Sequence, residues 1–261
     1  MINQSTLETL RKMKLSSMAS TLEEQFNDAE KYKDLGFEER LGLLVDAEWN
    51  RRQKNKLKRG IEKANLVASN ATIESIEYHE DRKLDKGQFL RFSTCQYIED
   101  NHHIILKGAS GNGKTFLACA LGNAACRKFK TVKYTRMPEL LDEFSLAKEC
   151  GTLKKMLNAL RKINLLIIDE WLIRHLTPKE AYDLLEIIEI RSNHGSTIFC
   201  TQYETDGWYE RISPNNDGPV ADAVMDRIVH NSYSVHIEGK ISMRERHGIS
   251  ASGSGGGTDD K

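Results

Sequence analysis

One pattern constrains this chain more than any other: Gly108-Ala-Ser-Gly-Asn-Gly113-Lys114-Thr115, a complete G-x-x-x-x-G-K-[ST]. It follows the apolar run His103-Ile-Ile-Leu106 and opens the helix-like segment FLACALGNAACRK. Strand, glycine-permissive loop and helix in that order aim backbone N–H groups and the positive end of a helix dipole at one point, which is what holding phosphates requires. Lys114 would neutralise the β and γ oxygens, and the Thr115 hydroxyl would ligate Mg²⁺. The expected ATP contacts in this stretch are Gly108, Ser110, Gly111, Asn112, Gly113, Lys114, Thr115 and Phe116.

A second motif answers the first. Leu165-Leu-Ile-Ile168 is a buried-strand run that ends in Asp169 and Glu170. An acid at the C-terminal end of such a strand can hold the Mg²⁺ shell, which falls to Asp169, while Glu170 beside it can orient and polarise the attacking water. The run Ser196-Thr-Ile-Phe-Cys200 leads to Gln202, whose amide both donates and accepts and so suits a γ-phosphate or water contact. Arg227 closes the helix-like AlaAspAlaValMetAspArg segment, and Arg244 follows the last strand. Arginine suits charge on a transferring phosphoryl group, and each can equally be an ion-paired surface residue.

Around these motifs the apolar runs 103–106, 132–135, 165–168, 197–200 and 233–237 alternate with stretches long enough for helices, the pattern of βαβ units and a largely parallel, buried sheet. The N-terminal part has a different texture. Leu7, Leu10, Leu15, Met18, Leu22 and Phe26 predict one amphipathic helix, and Phe37, Leu41, Leu44, Val45 and Trp49 predict a second with one apolar face. That second pattern runs into Arg51, Arg52, Lys54, Lys56, Lys58, Arg59 and Lys63, seven cations against the single anion Glu62. The first six are candidate DNA contacts. A chain whose 38 Lys+Arg balance 38 Asp+Glu is not uniformly basic, so this local concentration is informative.

The expected organisation is a helical domain over 1–70, a P-loop domain over 71–250, and a Gly/Ser-rich stretch over 251–261 that reads as a flexible tail or artificial scar. No run approaches the roughly 18 apolar residues of a membrane span and no secretory signal opens the chain, so a cytoplasmic protein without a membrane partner is expected. Cys95, Cys119, Cys126, Cys150 and Cys200 form no C-x-x-C pair, and Cys119 and Cys126 read as core packing. His102 and His103 lack a partner at metal spacing.

The succession of a helical N-terminal segment, GASGNGKT, LLIIDE, STIFCTQY and VMDRIV resembles the IstB-like family of AAA+ ATPases, transposition helpers of bacterial insertion sequences related to DnaC helicase loaders. The stretch from Leu35 to Leu66 tilts the likeness toward the transposition branch. The resemblance implies an α/β AAA+ core with a parallel sheet flanked by helices, ATP and Mg²⁺ as ligands, and hydrolysis of ATP. It further implies self-assembly on double-stranded DNA and a transposase as partner, with a helicase loader acting on single-stranded DNA as the alternative. It gives Gln202 the first sensor position, Arg227 the role of a finger inserted into a neighbouring subunit's site, and Arg244 a second sensor position. Two departures stand out: Trp171-Leu172 after the acid pair, where relatives often carry a small or Gly-containing turn, and Gln rather than Asn at residue 202.

Overall fold

The protein, seen in a computed structural model, is described over residues 2–213, 218–239 and 241–247; the expectation for 251–261 lies outside these. Two compact units divide at Met1–Arg59 and Gly60–Lys261. The boundary falls inside a helix, and residues 60–70 belong with the second unit.

The first unit contains α1 (Ile2–Lys12), α2 (Ser16–Asn27) and the beginning of α3 (Phe37–Ala64). The single helix expected over 7–26 is two helices. Lys14 takes a left-handed φ of 61°, and the Leu15 amide donates to Leu10 O at 2.9 Å, a helix-ending arrangement that satisfies carbonyls left over at the end of α1. Polar contacts tie α2 to α3, each of which also buries an apolar residue, Ala19 and Leu44. The Glu48 carboxylate, 5% exposed, accepts from the Ser17 and Met18 amides at 3.0 and 3.4 Å and so caps α2. It also accepts from Arg51 and Arg52. Burial pushes its pKa up, but the bonds from Arg52, Arg51, Met18 and Ser17 outweigh burial and hold it at about 2. Buried Gln25 likewise bonds Arg40 O. The apolar face expected on α3 is mostly not a core face: Leu44 is buried, whereas Phe37, Leu41, Val45 and Trp49 are exposed.

The second unit is built on five strands, β1 (His103–Lys107), β2 (Val132–Arg136), β3 (Leu165–Asp169), β4 (Ser196–Thr201) and β5 (Ser232–His236). All pairings are parallel and the order is β2-β3-β4-β1-β5. Every strand matches an apolar run of the sequence to within one residue at each end. β3 and β4 are buried along their whole length, as residues covered on both faces must be. One face packs Ile105, Leu166, Ile168 and Phe199 against α7 (Met137–Glu149), α8 (Leu153–Arg161), α9 (Pro178–His194), α10 (Trp208–Ile212) and α11 (Gly218–Val229). The other face takes α6 (Lys114–Arg127), where Gly122 comes so close to the sheet that a Cβ would lie 2.9 Å from Ile167. The short α4 (Lys86–Ser93) and α5 (Gln96–Glu99) precede β1, and α12 (Met243–Arg246) follows β5. Buried Arg191 donates to Leu160 O, Ile163 O and Ser196 O, tying α9 to the end of α8 and the start of β4. The consequence for function is that β1, β3 and β4, the three central strands, all end at one edge of the sheet.

Candidate nucleotide site

At that edge the chain leaves β1 through the glycine loop and enters α6 at Lys114. Gly113 caps the helix at φ 83°, a left-handed conformation that an L residue adopts only with strain. Gly108 is required for another reason: a Cβ there would sit 2.3 Å from Ile237 O. The Lys114 ammonium donates to Gly108 O and Ala109 O, both at 2.8 Å, and burial pushes its pKa down. The loop lies in a cleft of about 500 Å³ whose walls include Ser110, Gly111, Gly113, Lys114, Thr115 and Phe116.

Asp169 and Glu170 line the same cleft. The Thr115 hydroxyl donates to Asp169 Oδ2 at 2.6 Å and the Glu170 amide donates to Asp169 Oδ1 at 2.8 Å. Two hard oxygen donors are therefore in contact beside the glycine loop, a set that suits Mg²⁺. Glu170 has a left-handed φ of 55°, and its Oε2 accepts from Arg136 Nη2 at 2.6 Å. Arg136 ends β2, in register with Asp169.

The departure at Trp171-Leu172 has a structural counterpart. Glu170 and Leu172 both hold positive φ, where glycine would be easier, at a cost of roughly 1–2 kcal/mol each. Trp171 between them is packed into the core. Its ring is 4.6 Å from Phe199 and 5.4 Å from Trp208, fully buried, and its amide donates to Cys200 O at 2.8 Å.

Gln202 and Arg244 also line the cleft. Gly108 and Asn112 support it from behind: Asn112 is buried, its side chain donating to Ile237 O and its carbonyl accepting from Arg82. Arg227 stands elsewhere. Its guanidinium donates to Ala223 O and pairs with Glu189 of α9 at 2.5 Å in the same chain. Of the basic stretch, Arg51 and Arg52 are engaged by Glu48, and Lys54, Lys56, Lys58 and Arg59 are exposed.

Several site residues carry no motif in the sequence. Arg136 and Tyr134 come from β2, Arg82 from the segment before the sheet, and Val67, Ala68, Met243 and His247 complete the cleft wall. The five cysteines are free, and His103 is a buried structural residue that accepts from the Thr197 amide. Among the described residues no cluster of His, Cys, Asp or Glu has the makings of a further metal site.

Comparison with known proteins agrees with this geometry. A family model for IstB-like ATP binding proteins matches residues 8–251. A Sinorhizobium fredii protein described as an insertion sequence ATP-binding protein, y4pL, is 34% identical over 246 residues, 94% of this chain and 98% of its own length. The ATP-binding protein attributed to insertion sequence IS1162 of Pseudomonas fluorescens is 36% identical over 202 residues, 77% of this chain and 87% of that protein. Among solved structures, the DnaC helicase loader superposes with a TM-score of 0.54 at 20% identity, covering 65% of this chain and 97% of that one. The replication initiator DnaA bound to AMPPCP and single-stranded DNA gives 0.56 at 19% identity over 69% of this chain and 53% of that one. At such identities these two show a shared AAA+ P-loop fold.

Proposed function

This chain belongs to the IstB-like ATP binding proteins, and on that premise we propose that it hydrolyses ATP, assembles with copies of itself on duplex DNA, and assists a transposase in engaging target DNA. The observation that carries the reading is the meeting of Lys114, Thr115, Asp169 and Glu170 in one cleft, in a chain similar to proteins named for insertion sequences.

The roles follow from chemistry. Loop amides and Lys114 would bind the β and γ phosphates, Thr115 and Asp169 would hold Mg²⁺, and Glu170 and Gln202, which line the same cleft, would orient the attacking water. The chemistry a bound Mg²⁺ would supply is neutralisation of phosphate charge. Arg244 adds a cation on the α12 side. Arg227 would reach a neighbouring subunit's phosphates by exchanging Glu189 for them, which its one-third exposure permits.

Two basic surfaces support a nucleic acid partner. One is α3 from Lys54 to Arg59. The other is α8, LKKMLNALR, which contains no acid and turns Leu160 into the core while Lys154, Lys155, Arg161 and adjoining Lys162 are exposed with no ion-pair partner among the described residues. Cations so arranged suit contacts to a phosphate backbone, which are independent of base sequence. The helicase-loader alternative draws only on the fold shared with DnaC. No helix among the described residues is long and apolar enough to cross a membrane.

The test is assembly and turnover. Sedimentation with a non-hydrolysable ATP analogue should show oligomers on duplex DNA with no helicase present, and Mg²⁺-dependent phosphate release from ATP should accompany them. Assembly only on single strands, or only with a replicative helicase, would replace this reading with the loader.

A further inference from the structure

Asp169 is held from a direction that neither motif supplies. Tyr134, in the middle of β2 and 8% exposed, donates its phenolic hydroxyl to Asp169 Oδ2 at 2.8 Å. Oδ2 therefore receives two hydroxyl hydrogen bonds, from Thr115 on the loop side and from Tyr134 on the sheet side, while Oδ1 receives the Glu170 amide. A tyrosine phenol is protonated at neutral pH and so donates in this bond. The Thr115 bond leaves the oxygen lone pairs of Thr115 available to a cation. A carboxylate fixed on both oxygens keeps one orientation, and a group that fixes a metal-site carboxylate in this way governs metal affinity without touching the metal.

We propose that Tyr134 is a positioning residue for the Mg²⁺ site: its hydroxyl holds the Asp169 carboxylate in the orientation that receives Mg²⁺ with ATP. The inference rests on the ATP and Mg²⁺ reading above and deepens it. It also separates two properties that a packing role would leave together. The ring of Tyr134 belongs to the sheet's packing and the hydroxyl belongs to the metal site, so removing the hydroxyl alone should weaken Mg²⁺ and leave nucleotide without Mg²⁺ untouched.

Tyr134→Phe keeps the ring. Binding of a fluorescent ATP analogue is followed by anisotropy, first in EDTA and then across a Mg²⁺ titration. The expected result is unchanged affinity in EDTA and a half-saturating Mg²⁺ concentration raised about tenfold. A half-saturating concentration within twofold of wild type, or an equal loss of affinity in EDTA, overturns the proposal. Wild-type protein that binds no nucleotide, or binds it without regard to Mg²⁺, overturns the underlying reading and this one with it. Should Tyr134→Phe fail to fold, 3-fluorotyrosine placed at residue 134 alone carries the test. Its fluorine resonance should shift when Mg²⁺ is added to the ATP-bound protein, and an unmoved resonance overturns the proposal.

Discussion

The two units solve the problem of placing charge in opposite ways. In Gly60–Lys261 the charged groups proposed to act on phosphate lie at or just beyond the ends of strands β1 and β3, and β3 and β4 are buried along their whole length. In Met1–Arg59 a buried charge is itself the fixing element: Glu48 caps α2 and binds two arginines, while large apolar residues of α3 remain outside. Chemistry at a strand end tolerates no displacement, so the core invests apolar burial there. A surface proposed to meet phosphates at many positions needs only a scaffold and a surplus of cations.

If that division holds, the largest effect belongs to the core. Lys114→Ala should weaken ATP binding by about a hundredfold or more, because a cation facing two phosphates is removed from a buried site. Glu170→Gln should bind ATP as wild type does and turn it over far more slowly. Equilibrium titration beside a phosphate-release assay checks both, and equal ATP affinity in wild type and Lys114→Ala would break the assignment of the loop.

Next in size is Glu48→Gln, confined to the first unit. Loss of the charged cap should cost about 1–2 kcal/mol at neutral pH, seen as roughly 5- to 30-fold faster hydrogen exchange of the α2 amides, with ATP affinity unchanged. The sign with pH is definite. The Glu48 pKa is lowered from 4.5 to about 2 in the folded protein, so its contribution is complete above about 4.5 and fades as pH falls toward 2. The gap between variant and wild type should close over that interval, and a gap constant from pH 7 to 2 would contradict the capping role.

A smaller effect tests the restraint on Glu170. Arg136→Ala removes the ion pair at 2.6 Å, and because both partners are partly exposed the gain in basal ATP turnover should be no more than about fivefold. A fall in turnover would instead make Arg136 a contributor to the reaction.

These comparisons also separate what the residues announce from what they conceal. Lys114, Thr115, Asp169 and Glu170 were legible because loop chemistry and strand ends are local properties of a sequence, and each buried strand declares itself by its apolar run. The contacts of Tyr134 and Arg136 with the acid pair were not, because they depend on β2 lying next to β3, a fact of sheet order that no local pattern encodes. The break at Lys14 was hidden for a related reason: a lysine in a left-handed conformation carries none of the glycine signal that normally marks a helix end. The occupation of Arg51 and Arg52 by Glu48 at i+3 and i+4 was within reach of spacing alone. What spacing could not show was that Glu48 is buried, which depends on α2 folding back over α3.

The central claim, a core that switches on nucleotide and cationic surfaces that meet duplex DNA, is tested most directly by the salt dependence of duplex affinity. The titration would be made with and without a non-hydrolysable ATP analogue for wild type, for Lys114→Ala, and for Lys54, Lys56, Lys58 and Arg59 replaced together by Gln. In wild type the slope of log affinity against log salt should be steeper with the analogue than without it, since assembled subunits would each bring their own cations to the duplex. Lys114→Ala should show no response to the analogue, and the slope should be flattened by about 0.9 for each phosphate that the quadruple variant no longer neutralises. A wild-type slope that ignores nucleotide would contradict the central claim.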